Sequence, residues 1–467
     1  MCNFLIKNNL TGSAWVGHME YAEILSNNNL LKTYSARLFK IDQQFVLLPC
    51  SIINATEVVK TWISKLYILF AVVLLLAACG SKQQKKKVVP QTKTCFEQHK
   101  LTVAQDSAIR IEIHAGAKAA GIDSVFQKKF TRQGFNGTVL IAQKGVIIYE
   151  NALGYQDFSS KTPLSLNSAF QLASISKTFT GVAIMIMAQE GKIRMEDSIQ
   201  QYLPEFPYHG IRITDLLSHR SGLPNYLYAF ENKRRINGAP PTNDTIMKWF
   251  NQADPLPPPY ARPGRSFSYN NSNFVVLACI LEKVSGMRYA DFMRRRIFEP
   301  LEMRHSYIDT LASAALLQLR TSGHNGQRLN KRDFYDGVYG DKGVYSTVED
   351  MAKWYYALIN NCLLNEYWLK QAFTPRNLEK KSRHNYGLGF RLMTKNTNMK
   401  KVEYVYHSGW WQGFSTMFWY SPSNDYVIII LSNKHSMSVY DIKPVIAILE
   451  GPRKAEEISV EDAIDKL

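Results

Sequence analysis

The run Ser174-Ile175-Ser176-Lys177, followed at once by Thr178-Phe179-Thr180-Gly181-Val182-Ala183-Ile184-Met185-Ile186-Met187, constrains this chain more than any other stretch. A helix that is apolar all round has to be buried on every side. With Gly191 as C-cap, the spacing predicts a core helix over Ser174 to Glu190. A lysine on such a helix must be paired, hydrogen-bonded or shifted in pKa, which is the condition a catalytic amine needs. Residues three apart share a helix face, so Ser174 Oγ and Lys177 Nζ are expected to meet while Ser176 points elsewhere. A plain N-cap role for Ser174 leaves the buried Lys177 unexplained. Serine is a weak nucleophile until a base stands beside it, and this S-x-x-K is the only one in the chain. Ser174 is therefore the candidate nucleophile.

Two further fragments supply chemistry. Tyr269-Asn270-Asn271 lies between the turn Pro263-Gly264-Arg265-Ser266 and the apolar run Phe274 to Leu281, which reads as another buried helix. His407-Ser408-Gly409 ends the alternating stretch Val402 to Tyr406, and Trp410-Trp411-Gln412-Gly413 leads into Phe414 to Tyr420 and then Tyr426 to Leu431. This pattern predicts three antiparallel strands, with tight turns at Gly413 and at Ser421 to Asp425. A second H-x-G, His324-Asn325-Gly326, sits in a polar loop with no strand pattern around it and is read as a decoy. Strand patterns cluster at 136 to 155 and 386 to 432, while 192 to 340 has helical and loop composition, as a discontinuous domain pair would.

Taken in order, these motifs resemble the serine β-lactamase-like family, which includes class C β-lactamases, DD-carboxypeptidases, D-aminopeptidases and related esterases. The resemblance spans about residues 120 to 450. It also includes Phe135 to Ala142, Phe170 to Ala173, Ile213 to Pro224 with its Ser218-His219-Arg220-Ser221-Gly222, Gly343 to Thr347 and Tyr386 to Phe390. It implies an α/β (α+β) fold of the β-lactamase/transpeptidase type: an antiparallel sheet flanked by helices, a mostly helical subdomain, and an active site in the groove between them. It further implies that Ser174 forms an acyl-enzyme, that Lys177 and Tyr269 share the proton transfers, and that the backbone N–H groups of Ser174 and Trp410 form the oxyanion hole. Asn271 is expected to bond Lys177 and a substrate amide. His407, Gly409 and Trp410 are expected along the strand edge where substrate docks. Which of Lys177 and Tyr269 is the base stays open.

The chain departs from many β-lactamases and penicillin-binding proteins in having His407-Ser408-Gly409 where they carry K-T-G, and it has no S-D-N. A neutral imidazole attracts a substrate carboxylate less than a lysine does. The expected activity is therefore serine hydrolysis of an amide or ester in a small peptide-like substrate, of the DD-peptidase or D-aminopeptidase kind, with β-lactams as possible ligands. The alternatives are a penicillin-binding sensor or wall-binding protein with little turnover, and a carboxylesterase with an apolar pocket lined by Trp410, Trp411 and Tyr226. Neither a G-x-S-x-G elbow nor zinc spacing occurs, so no metal and no cofactor are expected.

Leu66 to Ala78 has the length of a signal-peptide apolar region, with Lys60 and Lys65 before it. Leu76-Ala77-Ala78-Cys79 resembles a bacterial lipobox, so Cys79 is the expected lipidated residue and the expected location is the cell envelope, outside the cytoplasmic membrane. Some sixty residues precede this segment, which suggests a start assigned too early. The expected divisions are a leader over 1–79, a lysine-rich linker over 80–105, the hydrolase domain over 106–451 with its helical insertion at about 192–340, and a polar tail over 452–467. The net charge of +17 is dispersed and accompanied by no nucleic-acid motif; Lys82 and Lys85 to Lys87 suit anionic headgroups better. Of the six cysteines, Cys279 reads as core packing, and a Cys95–Cys362 disulfide is left open.

Overall fold

The computed structural model describes residues 95–458, apart from 235–239, 312, 380–381 and 396–397. The leader, Cys79 and most of the linker thus lie outside the described residues. The described residues belong to one compact unit. Its principal elements, in chain order, are α1 (Ala115–Gln133), β1 (Gly137–Gln143), β2 (Val146–Leu153), α2 (Ser176–Gln189), α3 (Ser272–Ser285), α4 (Val348–Ile359), β3 (His384–Tyr386), β4 (Arg391–Lys395), β5 (Asn398–Trp411), β6 (Phe414–Ser421), β7 (Tyr426–Ser432) and α5 (Lys443–Glu450).

The seven strands form one antiparallel sheet in the order β3-β4-β5-β6-β7-β1-β2. β1 pairs with β7 along its whole length, so the two ends of the domain close the sheet together. Both faces are covered. On β1, Leu140 and Ala142 join the core under α2 and α4, while Val139 and Ile141 join the core under α1 and α5; on β7, Val427, Ile429 and Leu431 go one way and Tyr426, Ile428 and Ile430 the other. Alternation sends successive side chains to opposite faces, and here both faces meet helices, which is why these strands are apolar throughout.

The middle of the chain carries α3 and the short helices Ile213–Leu217, Tyr226–Ala229 and Asn243–Asn251, with minor strand pairs at Tyr307–Ile308 and His324–Asn325. Every residue of α2 but Gln189 is buried. Phe179 stacks on Trp354 of α4 at 4.0 Å between ring centroids, and each such side chain contributes about 1.5–3 kcal/mol by leaving water. Cys95 and Cys362 are joined as a disulfide across 267 residues, tying the Cys95–His99 helix to the turn that follows α4, while Cys279 is free and buried.

Two expectations are corrected. The core helix begins at Ser176, and Ser174 lies in the 3-10 turn Ala173–Ile175 that feeds it. His324 does lie in a short strand, paired with Leu329; its imidazole is buried against the Phe158 ring, 4.9 Å away, and 3.5 Å from Asp157.

Candidate active site

The 3-10 turn brings Ser174 to the wall of a cavity of about 310 Å³, whose lining also includes Asn271, Asp341, Lys342, Trp410 and Trp411. Ala173, just before the serine, has φ 49, a conformation uncommon for a residue with a Cβ. Such strain persists only where the surroundings enforce it, and here β5 presses on the turn. A Cβ on Gly409 would lie 2.3 Å from the Leu172 carbonyl and 2.3 Å from Thr416 Oγ1. Gly409 thus acts through its missing side chain. Ser176 is fully buried and accepts the Val344 N–H at 3.2 Å, a structural duty that leaves Ser174 as the serine facing the cavity.

Lys177 lies behind Ser174, fully buried, with Nζ 3.0 Å from Ser174 Oγ and 2.9 Å from the Asp341 carbonyl oxygen. Burial pulls its pKa down to about 7; the Asp341 carboxylate opposes the fall, and the Lys342 and Arg391 cations add to it. Near neutral pH much of this amine is uncharged and able to take a proton.

Tyr269 is buried beside it, with Lys177 Nζ 5.0 Å and the Arg391 guanidinium 4.9 Å from its ring centroid. Burial first, and then the Tyr386 phenol, push its pKa well above the ordinary tyrosine range. The Ser174 hydroxyl is near enough to favour ionisation of the phenol, yet no hydrogen bond of acceptable geometry reaches Tyr269 Oη among the described residues. The two groups are therefore neighbours without being bonded.

Asn271 reaches the cavity but makes no hydrogen bond to Lys177, whose partners are Ser174 and the Asp341 carbonyl. The amide and the amine remain separate because the 340–343 loop supplies the acceptor instead. His407 also departs from the expectation of a residue lining the docking edge: it is fully buried beneath the strand. A carbonyl only accepts, so Nδ1 donates to the Ser408 oxygen at 2.7 Å and Nε2 accepts from Tyr386 Oη at 3.1 Å. Burial, with Arg391 and Lys177 nearby, holds the ring well below the usual imidazole range, hence neutral. Trp410 is 43% exposed at the cavity and donates through Nε1 to His435 at 2.6 Å. β4 pairs with β5 only as far as Tyr406, so residues 407–411 present a strand edge free of β4 to the Ser174 turn.

The matching family model, Beta-lactamase, covers residues 122–450. The chain belongs to the Beta-lactamase family. Members of this family are in general hydrolases, and the Ser174–Lys177 arrangement is consistent with a serine hydrolase. Among its relatives, penicillin-binding protein 4* of Bacillus subtilis is 32% identical over 338 residues, covering 69% of this chain and 74% of that protein. Protein flp of Staphylococcus aureus is 26% identical over 342 residues, and the match spans 63% of its length. In fold, the chain is similar to a penicillin-binding protein from Bacillus halodurans, with a TM-score of 0.58 at 22% identity over 69% of this chain and 98% of that one. It is likewise similar to the octameric penicillin-binding protein homologue from Pyrococcus abyssi, with a TM-score of 0.61 at 24% identity over 72% and 78%. Among the described residues no cluster of His, Cys, Asp and Glu is set to hold a metal ion, and no helix is long and apolar enough to cross a membrane.

Several residues around the site were given no role from the sequence, although His219 and Arg220 stand in a segment that carries the resemblance. His219, at φ 56, accepts the Asn270 N–H at 3.0 Å through Nδ1, and its ring lies 4.3 Å from that of Tyr269, so it positions the tyrosine segment. Arg220 ties the same loop to the Gly264 carbonyl and to Glu379. Asp341 and Lys342 sit between Gly340 and Gly343, both with positive φ. The available signal was that Gly-Asp-Lys-Gly just before a strand places two opposite charges on a tight loop.

Proposed function

We propose that this protein is a serine hydrolase that forms an acyl-enzyme at Ser174 from an amide or ester of a small peptide-like substrate, in the manner of a DD-peptidase or D-aminopeptidase. The observation that carries this reading is the 3.0 Å approach of Lys177 Nζ to Ser174 Oγ by an amine whose pKa is drawn down to about 7. Uncharged Lys177 takes the Ser174 proton as Oγ attacks the carbonyl carbon. Backbone N–H groups of Ser174 and Trp410 receive the developing oxyanion; such preorganised donors typically account for about 2.7–4 kcal/mol each. Tyr269 keeps its proton in the resting state and passes one to the leaving group, replacing it from Lys177. Asn271 receives the substrate amide. His407 backs the strand from within, and its free edge at 407–411 suits an extended peptide, which binds as an added strand. The wall carries Glu231, Asp333, Asp341 and Lys342, and Tyr226 is fully buried, which suits a polar substrate better than the apolar acyl pocket of an esterase.

The test is the intact mass of the full chain, and of its Ser174→Ala variant, after incubation with a penicillin, with free penicillin followed in the same tube. A stable adduct on the wild type alone supports a penicillin-binding peptidase or sensor, and loss of penicillin without adduct supports a β-lactamase. With neither, D-amino-acid peptides and short-chain esters are assayed; absence of any Ser174-dependent turnover overturns the reading.

We also propose that Cys79 anchors the chain by lipid outside the cytoplasmic membrane. The Cys95–Cys362 disulfide supports an oxidising compartment. Incorporation of labelled fatty acid that Cys79→Ser abolishes is the expected result.

A further inference from the structure

Lys342 is a second buried cation at the same cavity, and unlike Lys177 it lines the wall directly. The loop that carries it is set from two sides. A Cβ on Gly340 would lie 2.3 Å from the Phe274 carbonyl of α3, and Thr180 of α2 donates to the Gly340 carbonyl at 2.6 Å. Lys342 therefore sits on backbone clamped between the two buried helices.

An ammonium has three protons to place. Lys342 Nζ donates one to Tyr226 Oη at 2.5 Å and the other two only toward the Asp341 carboxylate, Oδ2 at 3.3 Å and Oδ1 at 3.5 Å, and Tyr226 donates in turn to Asp341 Oδ2 at 3.0 Å. Both carboxylate contacts are long for a charge-assisted bond, and the ammonium also lies 4.7 Å from the Trp411 ring centroid. An aromatic face compensates a cation only in part. Asp341 and Asp333, the buried carboxylates of the wall, already hold protein donors: Lys342 and Tyr226 on the first, Gln412 Nε2 at 2.9 Å and the Tyr335 N–H on the second. Glu231 stands on the exposed rim. The loosely held group is thus a cation, at the residue that shares a wall with Ser174. Meanwhile His407, on the strand where many relatives carry a lysine, is buried, neutral and bonded through both ring nitrogens.

We infer that Lys342 is the specificity-determining residue of this site, and that its loosely paired ammonium, beside the Trp411 face, binds a carboxylate of the substrate. This deepens the serine-hydrolase reading and rests on it: the substrate class becomes a peptide with an acid group, recognised from the 340–343 loop and not from the H-x-G strand.

The experiment measures binding in the Ser174→Ala background, where no acyl transfer intervenes. The probes are N-acetyl-D-alanyl-D-alanine and its C-terminal amide, titrated by calorimetry into the full chain with and without Lys342→Met. A charge-assisted bond predicts that the acid binds about tenfold more tightly than the amide, and that Lys342→Met removes this preference. Because Lys342→Met leaves Asp341 uncompensated, the double variant Asp341→Asn, Lys342→Met keeps the charge balanced and gives the same answer if the single variant does not fold. Equal binding of acid and amide to Ser174→Ala, no binding of either, or a preference that survives loss of Lys342 each overturns the inference. Failure of the hydrolase reading shows separately, in the mass measurement on the wild type.

Discussion

Lys177 and Lys342 are both buried beside Ser174, but their surroundings assign them opposite work. Lys177 has only neutral hydrogen-bond partners, the serine hydroxyl and the Asp341 backbone carbonyl, and burial draws its pKa down to about 7. Lys342 is held by a carboxylate and a phenol that is itself bonded to that carboxylate. Burial lowers its pKa as well, but the Asp341 and Asp336 carboxylates oppose the fall. One residue, Asp341, serves both lysines, its backbone oxygen toward Lys177 and its side chain toward Lys342. Burial alone therefore does not decide what a lysine does; the charge of its hydrogen-bond acceptor does.

The contrast breaks most visibly at Lys177. Lys177→Met should lower the Ser174 acylation rate about 10²- to 10⁴-fold, the range for loss of a positioned base. Lys177→Arg should fall as far, because arginine keeps the charge but does not give up its proton; an active Lys177→Arg variant would show that charge and not basicity is what the serine needs. Gly409→Ala tests the frame that presents Ser174 to Lys177. The added methyl meets the Leu172 carbonyl and Thr416 Oγ1, so a loss of about 1–3 kcal/mol in stability, read by chemical denaturation, is expected together with slower acylation.

A subtler measurement uses pH. Acylation should rise as the Lys177 ammonium loses its proton, with an inflection near pH 7. The Lys342 cation lowers that pKa and the Asp341 carboxylate raises it, so Lys342→Met should move the inflection to higher pH and Asp341→Asn to lower pH. Shifts of the same sign would break the account of how the two lysines are coupled. The smallest effect is expected at His407. Its ring is neutral well below the usual imidazole range, so His407→Gln should add or remove no inflection between about pH 5 and 8.

The sheet was legible where alternation meets turn residues, as in the hairpin of β5 and β6 across Gln412-Gly413. The helix entered at Ser174 was legible because an apolar run of that length admits only a buried helix. Its first turn was not, since a 3-10 turn and an α-helix share the same apolar pattern, and the positive φ of Ala173 and the close approach of β5 at Gly409 are features of the folded chain. His407 was read as facing the substrate because a strand motif gives the register of a side chain and not which face is covered; Tyr386 and Ser408 close over it. Lys342 was missed because its meaning depends on Tyr226 and Trp411, residues 116 and 69 positions away in the chain.

What the amino-acid order determined by itself was local and periodic: a buried helix behind a serine, a lysine one turn on, three strands joined by tight turns, and a sheet drawn from both ends of the domain. The tertiary structure alone decided the proton affinities and the acceptors. Lys177, Tyr269 and His407 owe their states to burial and to charges brought in from the 340–343 loop and from β4. The physical reason is that hydrophobic periodicity is written along the chain, whereas desolvation and Coulomb interactions depend on distances that only the folded chain sets.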